Sequence, residues 1–145
     1  MRTLAIDPGK VRIGLALSDS AAKFATPHAV IPAEKAIEEI LKLIEQEEVE
    51  QLVVGLPLNM DGTIGPSAKN AITFARELSN KSAKKVIFVD ERLSSFQAES
   101  DMTQRKRHGE KITRKQKKSR LDAQAAAVFL QDFLDGKLSA IQIPF

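Results

Sequence analysis

Two short, unbroken apolar runs constrain this chain more than any other feature. Gln51–Leu56 reads Gln-Leu-Val-Val-Gly-Leu, and Val86–Val89 reads Val-Ile-Phe-Val. Runs this short, without polar alternation, suit strands covered on both faces, as in parallel sheets flanked by helices. Between them Ala68, Ala71, Ile72, Ala75 and Leu78 recur at helical spacing. Strand, helix and strand then form a right-handed parallel crossover. Upstream, Thr3–Ile6 and Ile13–Leu17 flank the turn Asp7-Pro8-Gly9-Lys10 and predict a hairpin. Ala29–Ile31, bracketed by Pro27 and Pro32, predicts a third, edge strand. Ala33–Glu47 carries Ile37, Ile40, Leu41 and Ile44 on one helical face. Downstream, Ser94 or Ser95 can cap a third helix, with Gln97 at capping-box spacing from Ser94. A basic stretch follows as loop or weak helix. Ser119 or Arg120 opens a last helix, which Gly136 ends. The order βββαβαβαα predicts an α/β fold with a five-stranded mixed sheet and helices on both faces.

The 145 residues are expected to form one domain, 1–145. The chain has no cysteine, which excludes thiolate metal sites and cysteine nucleophiles. Only His28 and His108 are histidines, so a polyhistidine site is not expected. No apolar run reaches the ~18 residues that span a membrane. An acid at position 7 argues against a secretory signal. The expectation is a soluble, cytoplasmic protein.

Charge is unevenly spread. Met102–Arg120 holds nine Lys or Arg and one acid, Glu110, a local charge of +8. The whole chain carries +3, so the remainder sums to −5. That asymmetry suits a polyanion held by its phosphates, although a solvated loop would look the same. Trp and Tyr are absent, so an aromatic base-stacking platform is not expected.

Three acids invite a chemical reading. In a parallel sheet the site lies at the carboxyl ends of the strands. Asp7 follows the first strand and Glu91 the last. Asp122 lies near the start of the final helix, on the face continued by Ala125, Ala126, Phe129 and Phe133. Each acid alone has an ordinary use: a turn residue, an ion-pair partner, a helix-dipole partner. Converging, they would repel unless a cation neutralised them. Mg²⁺ or Mn²⁺ suits such oxygen ligands and supports phosphodiester hydrolysis, with one ion at the attacking water and a second at the leaving oxygen. Gly9 is expected to take positive φ beside Asp7, and Gly14 to leave bare backbone where a phosphate can approach.

Four blocks carry a resemblance: Ala5-Ile6-Asp7-Pro8-Gly9 with Ile13-Gly14, Val54–Gly62, Asp90-Glu91-Arg92-Leu93-Ser94, and Leu121–Ala127. Together, from Thr3 to about Leu134, they resemble the YqgF/RuvX family of Holliday-junction-resolvase-like proteins, also described as pre-16S ribosomal RNA nucleases. The resemblance implies a ribonuclease H-like fold and a cytoplasmic bacterial protein maturing the 5′ end of 16S ribosomal RNA. It implies Asp7, Glu91 and Asp122 as catalytic, metal-binding acids. Arg92 is then expected at a substrate phosphate, and Asn59 at substrate or in ordering its loop. Gly9, Lys10, Arg105, Arg107, Lys115, Lys117, Lys118 and Arg120 complete the expected phosphate-binding set. Related junction resolvases have a strand-end acid where this chain has Gly55-Leu56-Pro57, so Glu91 would have to supply that charge.

The leading expectation is a metal-dependent nuclease on structured RNA. A resolvase of branched DNA is a close variant and would favour a homodimer over a monomer. A non-catalytic nucleic-acid-binding assembly factor would use the basic stretch alone. A phosphotransferase could use Asp7-Pro8-Gly9 as a phosphate turn, but the chain lacks a glycine-rich adenosine-binding segment.

Overall fold

The computed structural model describes residues 1–94 and 114–143, the side chains of 114–122 excepted. Three strands open the chain: β1 (Thr3–Asp7), β2 (Arg12–Ser18) and β3 (Ala25–Pro32). A 3₁₀ turn at Ala33–Lys35 leads to α1 (Ala36–Gln46), then β4 (Gln51–Leu56) and α2 (Pro66–Ser82). β5 (Lys85–Asp90) ends in a 3₁₀ turn, Glu91–Leu93. α3 (Arg114–Leu134) and β6 (Ala140–Ile141) complete the described elements.

The sheet order is β3-β2-β1-β4-β5-β6. β1, β4 and β5 are mutually parallel, with Ile6 opposite Val54 and Leu56 opposite Asp90. β2 and β3 run antiparallel to their neighbours, as does β6 to β5. Among the described residues the sheet therefore has six strands rather than the expected five. The extra one is two residues long, and no periodicity can announce so short a strand.

Alternation sorts the core into two layers. Leu4, Ile6, Leu52, Val54 and Phe88 pack with Ile40, Ile44, Ile72 and Leu78 of α1 and α2. Ala5, Ala16, Val53 and Val89 pack on the other face with Ala126, Ala127, Phe129 and Leu130 of α3. The small side chains of that second layer let α3 lie close to the sheet. Phe129 is fully buried there, worth ~1.5–3 kcal/mol against exposure.

Some boundaries differ from expectation. β3 begins at Ala25, not Ala29. Its Pro27 is tolerated because β3 is an edge strand, and the register shifts by a bulge opposite Leu15 and Ala16. The described helical backbone of α3 reaches back to Arg114, ahead of the expected Ser119 or Arg120. No Gly or Pro interrupts 114–121, so basic residues continue the helix. The helix stops at Leu134, and Gly136 takes φ +78°, as a left-handed terminus requires. The expected helix after Ser94, with Ser95 and Gln97, lies outside the described residues, as does His108. Among the described residues no helix is long and apolar enough to cross a membrane.

Candidate active site

Parallel pairing brings the ends of β1, β4 and β5 to one edge. Asp7 ends β1, paired with Gly14 of β2. Alternation from Ala5 turns it to the α3 face, where it is half-buried. Glu91 follows β5 directly. Its Oε2 is sealed from solvent, and it stands 3.0 Å from where a Cβ on Gly55 would project. The Phe129 ring of α3 lies at 3.0 and 3.2 Å from the same point. Glu91 thus reaches across the missing side chain of β4 on the face that carries Asp7. The gap at Gly55, read in the sequence as a missing acid, is the space a neighbouring acid's carboxylate enters.

Phe129 beside Gly55 and Gln131 at the β2–β3 turn orient α3. The Gln131 amide accepts from Ala25 N (2.9 Å) and donates to Lys23 O (2.9 Å). These contacts seat the second half of α3 against the end of β4 and the β2–β3 turn. Asp122 stands seven residues before Phe129, about two turns and ~10 Å nearer the amino terminus of α3 and on the same side of the helix. Its side chain lies outside the described residues. So do those of Lys115, Lys117, Lys118 and Arg120, on the first turns of α3. Arg105 and Arg107 are outside them altogether.

Arg92 departs from the role of open phosphate ligand. Its Nε and Nη2 donate to the two oxygens of Asp90 at 3.0 and 2.6 Å. Its Nη1 donates to Asn59 O (2.8 Å) and Met60 O (3.0 Å). Four of the five guanidinium donors are thereby committed within the chain. The buried Asp90 carboxylate also caps the 3₁₀ turn through Arg92 N (3.0 Å). The hydrogen bond to Asp90 raises the Arg92 pKa further.

Arg92 thus pins the loop between β4 and α2, which is ordered internally. Asn59 Nδ2 donates to Thr63 Oγ1 (3.0 Å), and Asn59 N to Thr63 O (2.9 Å). Asp61 Oδ1 accepts from Thr63 Oγ1 (2.6 Å) and Thr63 N (3.0 Å). Those two bonds, the hydroxyl first, hold the Asp61 carboxyl below its ordinary value. Asn59 therefore orders the loop. Asp90, Asp61 and Thr63 were missed as loop-holding residues; the Asp-x-Arg and Asp-x-Thr spacings were their only signal.

Gly9 is needed for a reason other than the expected one. It is not among the positive-φ glycines. A Cβ there would lie 2.4 Å from Arg12 O, so the turn closes too tightly for a side chain. Lys10 is exposed beside it.

The described residues contain no group of three or more acids or histidines able to hold a metal. The donor chemistry still fits a divalent cation. Asp7 and Glu91 are carboxylates on one face of one edge, and all-oxygen ligation suits Mg²⁺ or Mn²⁺.

A family profile described as "RuvX: Holliday junction resolvase" matches residues 1–136. The chain belongs to the RuvX family. RuvX relatives cover nearly all of it. One from Anaeromyxobacter sp. (strain Fw109-5), named "Putative pre-16S rRNA nuclease", is 42% identical over 140 residues, covering 94% of this chain and 98% of its own. A relative of the same name from Roseiflexus sp. (strain RS-1) is 42% identical over 139 residues, covering 94% and 95%. Among solved structures, Thermus thermophilus RuvC superposes with a TM-score of 0.59 at 15% identity, covering 97% of this RuvX chain and all of the other. T. thermophilus RuvC in complex with a Holliday junction substrate gives 0.57 at 12% identity, covering 97% and 99%. These likenesses establish the ribonuclease H-like fold.

Proposed function

We propose that this RuvX chain is a cytoplasmic, divalent-metal-dependent nuclease that hydrolyses phosphodiester bonds during 5′-end maturation of pre-16S ribosomal RNA. The names of its relatives support the substrate. The observation that carries the chemistry is the placement of Asp7 and Glu91 on one face of one sheet edge, with Gly55 leaving the space that the Glu91 carboxylate enters.

In this reading Asp7 and Glu91 hold Mg²⁺ or Mn²⁺, and Asp122 completes the acidic set. Held by these acids, divalent cations would supply a water of lowered pKa and would offset the charge of the leaving oxygen, a two-metal scheme. Burial of Glu91 Oε2 beside Phe129 keeps bulk water from competing for that carboxylate. Asp90 and Arg92 act at one remove, positioning the loop that flanks the edge. Lys10, Arg105, Arg107, Lys115, Lys117, Lys118 and Arg120 attract the phosphate chain of a structured RNA, with the protein acting as a monomer or homodimer.

The deciding experiment incubates wild-type and Asp7→Asn protein with a labelled pre-16S fragment in Mn²⁺, Mg²⁺ or EDTA. Cleavage that needs metal and is lost in the variant, with binding retained, is expected. Full cleavage by Asp7→Asn, with contaminating nuclease excluded, rejects the catalytic assignment. Binding without cleavage by either protein favours an assembly factor. Cleavage of a four-way DNA junction in place of the RNA makes the protein a resolvase.

A further inference from the structure

A cavity of about 400 Å³ opens on the opposite face of the same sheet edge. Its walls include Pro8 and Lys10 from the β1–β2 turn, Pro57 from the end of β4, and Ser67, Asn70 and Phe74 from α2. Pro8 directly follows Asp7, so one tight turn borders both the candidate active site and this cavity. The turn's position is firmly set: Gly9 packs against Arg12 O, and Ala33 N donates to Val11 O at 2.9 Å.

The lining has two chemical parts. Pro8, Pro57 and the half-buried Phe74 make an apolar wall with one aromatic ring. Lys10, Ser67 and Asn70 are exposed at the mouth. Such a combination of volume, flat apolar surface and few polar groups is that of a small-molecule site. Phe74 packs against the core and leaves only the part of its ring that lines the cavity for contact with a base, the Asn70 amide carries both a donor and acceptor for a base edge, and Lys10 offers charge to a phosphate. The absence of Trp and Tyr weighs against a broad stacking platform, but a single ring in a cavity needs neither.

We infer that this cavity binds one nucleotide unit of the RNA strand, its base against Phe74 and Asn70 and its phosphate at Lys10, next to the phosphate at Asp7. The inference rests on the nuclease reading for the neighbouring phosphate, whereas nucleotide binding in the cavity does not. The β1–β2 turn then acts as the divider over which the strand passes, from the α2 face to the α3 face. Cleavage would be sensitive to the identity of that one nucleotide.

The test titrates the full-length, isotope-labelled protein with adenosine 5′-monophosphate in EDTA and follows backbone amides by NMR. Saturable shifts centred on Lys10, Ser67, Asn70 and Phe74 are expected. Asn70→Ala should weaken binding roughly fivefold or more, on the order of one lost hydrogen bond. Asn70 is exposed and alanine favours helix, so this variant folds. Adenosine without phosphate should bind more weakly to wild type and equally to wild type and Lys10→Ala. With the pre-16S fragment, Asn70→Ala should raise KM by a similar factor. Absence of saturable shifts, or shifts unchanged by Asn70→Ala, overturns the inference while leaving the Asp7 experiment untouched. Monophosphate binding with KM for RNA unchanged in Asn70→Ala overturns the strand assignment and makes this a site for a free nucleotide. Nucleotide binding as expected with no RNA cleavage by wild type overturns the nuclease reading and the strand assignment, leaving the nucleotide site in place.

Discussion

Glu91 Oε2 lies 3.0 Å from the point where Gly55 would carry a Cβ. An acid at the end of β5 thus occupies the space that a side chain at the end of β4 would otherwise take. The Phe129 ring shares that space, so a strand, the next strand and the helix above them meet at one missing side chain.

Gly55→Ala should therefore lower stability by about 1–3 kcal/mol, the usual cost of overpacking a closed site. Gly55→Val should cost more and displace Glu91. Denaturant unfolding reads the first effect and metal-dependent cleavage of the pre-16S fragment the second. Wild-type cleavage by a folded Gly55→Val protein would show that the gap does not set the position of Glu91.

Arg92→Lys should free the loop between β4 and α2. Lysine keeps the charge but cannot span Asp90 and two carbonyls at once. Amide hydrogen exchange should accelerate across residues 57–65 while α1 and β1 stay protected. Cleavage should fall several-fold with little change in RNA affinity. A fall in affinity alone, with the loop still protected, would return Arg92 to the phosphate-binding set.

Loop order should depend on acid pH through Asp61. Its folded carboxyl lies below the ordinary value of 3.8, because the Thr63 hydroxyl and backbone N–H favour the charged form. The unfolded form thus binds protons first as pH drops. The contribution of Asp61 is complete well above 3.8 and is lost as pH falls below it, through the lower folded value. NMR titration of the Asp61 carboxyl in wild type and Thr63→Val should show the variant's pKa moving back up.

Reversing Lys115, Lys117, Lys118 and Arg120 to Glu should weaken binding of every RNA tested, independent of sequence. The slope of log affinity against log salt should shrink by ~0.7–0.9 for each phosphate that is no longer neutralised. Binding measured across a series of salt concentrations reads that slope. An unchanged slope would remove these residues from the phosphate path.

Much of the fold was legible in the chain itself, for a local reason. Gln51–Leu56 matches β4 at both ends, because an apolar run bounded by a polar residue and proline is both the signal and the strand. The inner face of α2, from Ala68 to Leu78, is buried as its spacing predicts. Asp7 and Glu91 could be sent to one edge as soon as β1, β4 and β5 were taken as parallel. What Arg92, Gly55 and Gly9 do was not legible, since each depends on an atom that its own segment does not supply. Arg92 meets carbonyls 32 and 33 residues away. Gly55 faces a ring from α3, and Gly9 closes on Arg12 O.

The sequence by itself determined five of the six described strands, the three described helices in outline, and the acids at the ends of β1 and β5, because periodicity and burial act over a few residues. Only the tertiary structure decided what fills the space at Gly55, which donors of Arg92 are spent, and that a cavity backs the Asp7 turn. Those outcomes follow from close packing between distant segments, where one missing side chain or one committed guanidinium changes what the neighbouring groups can reach.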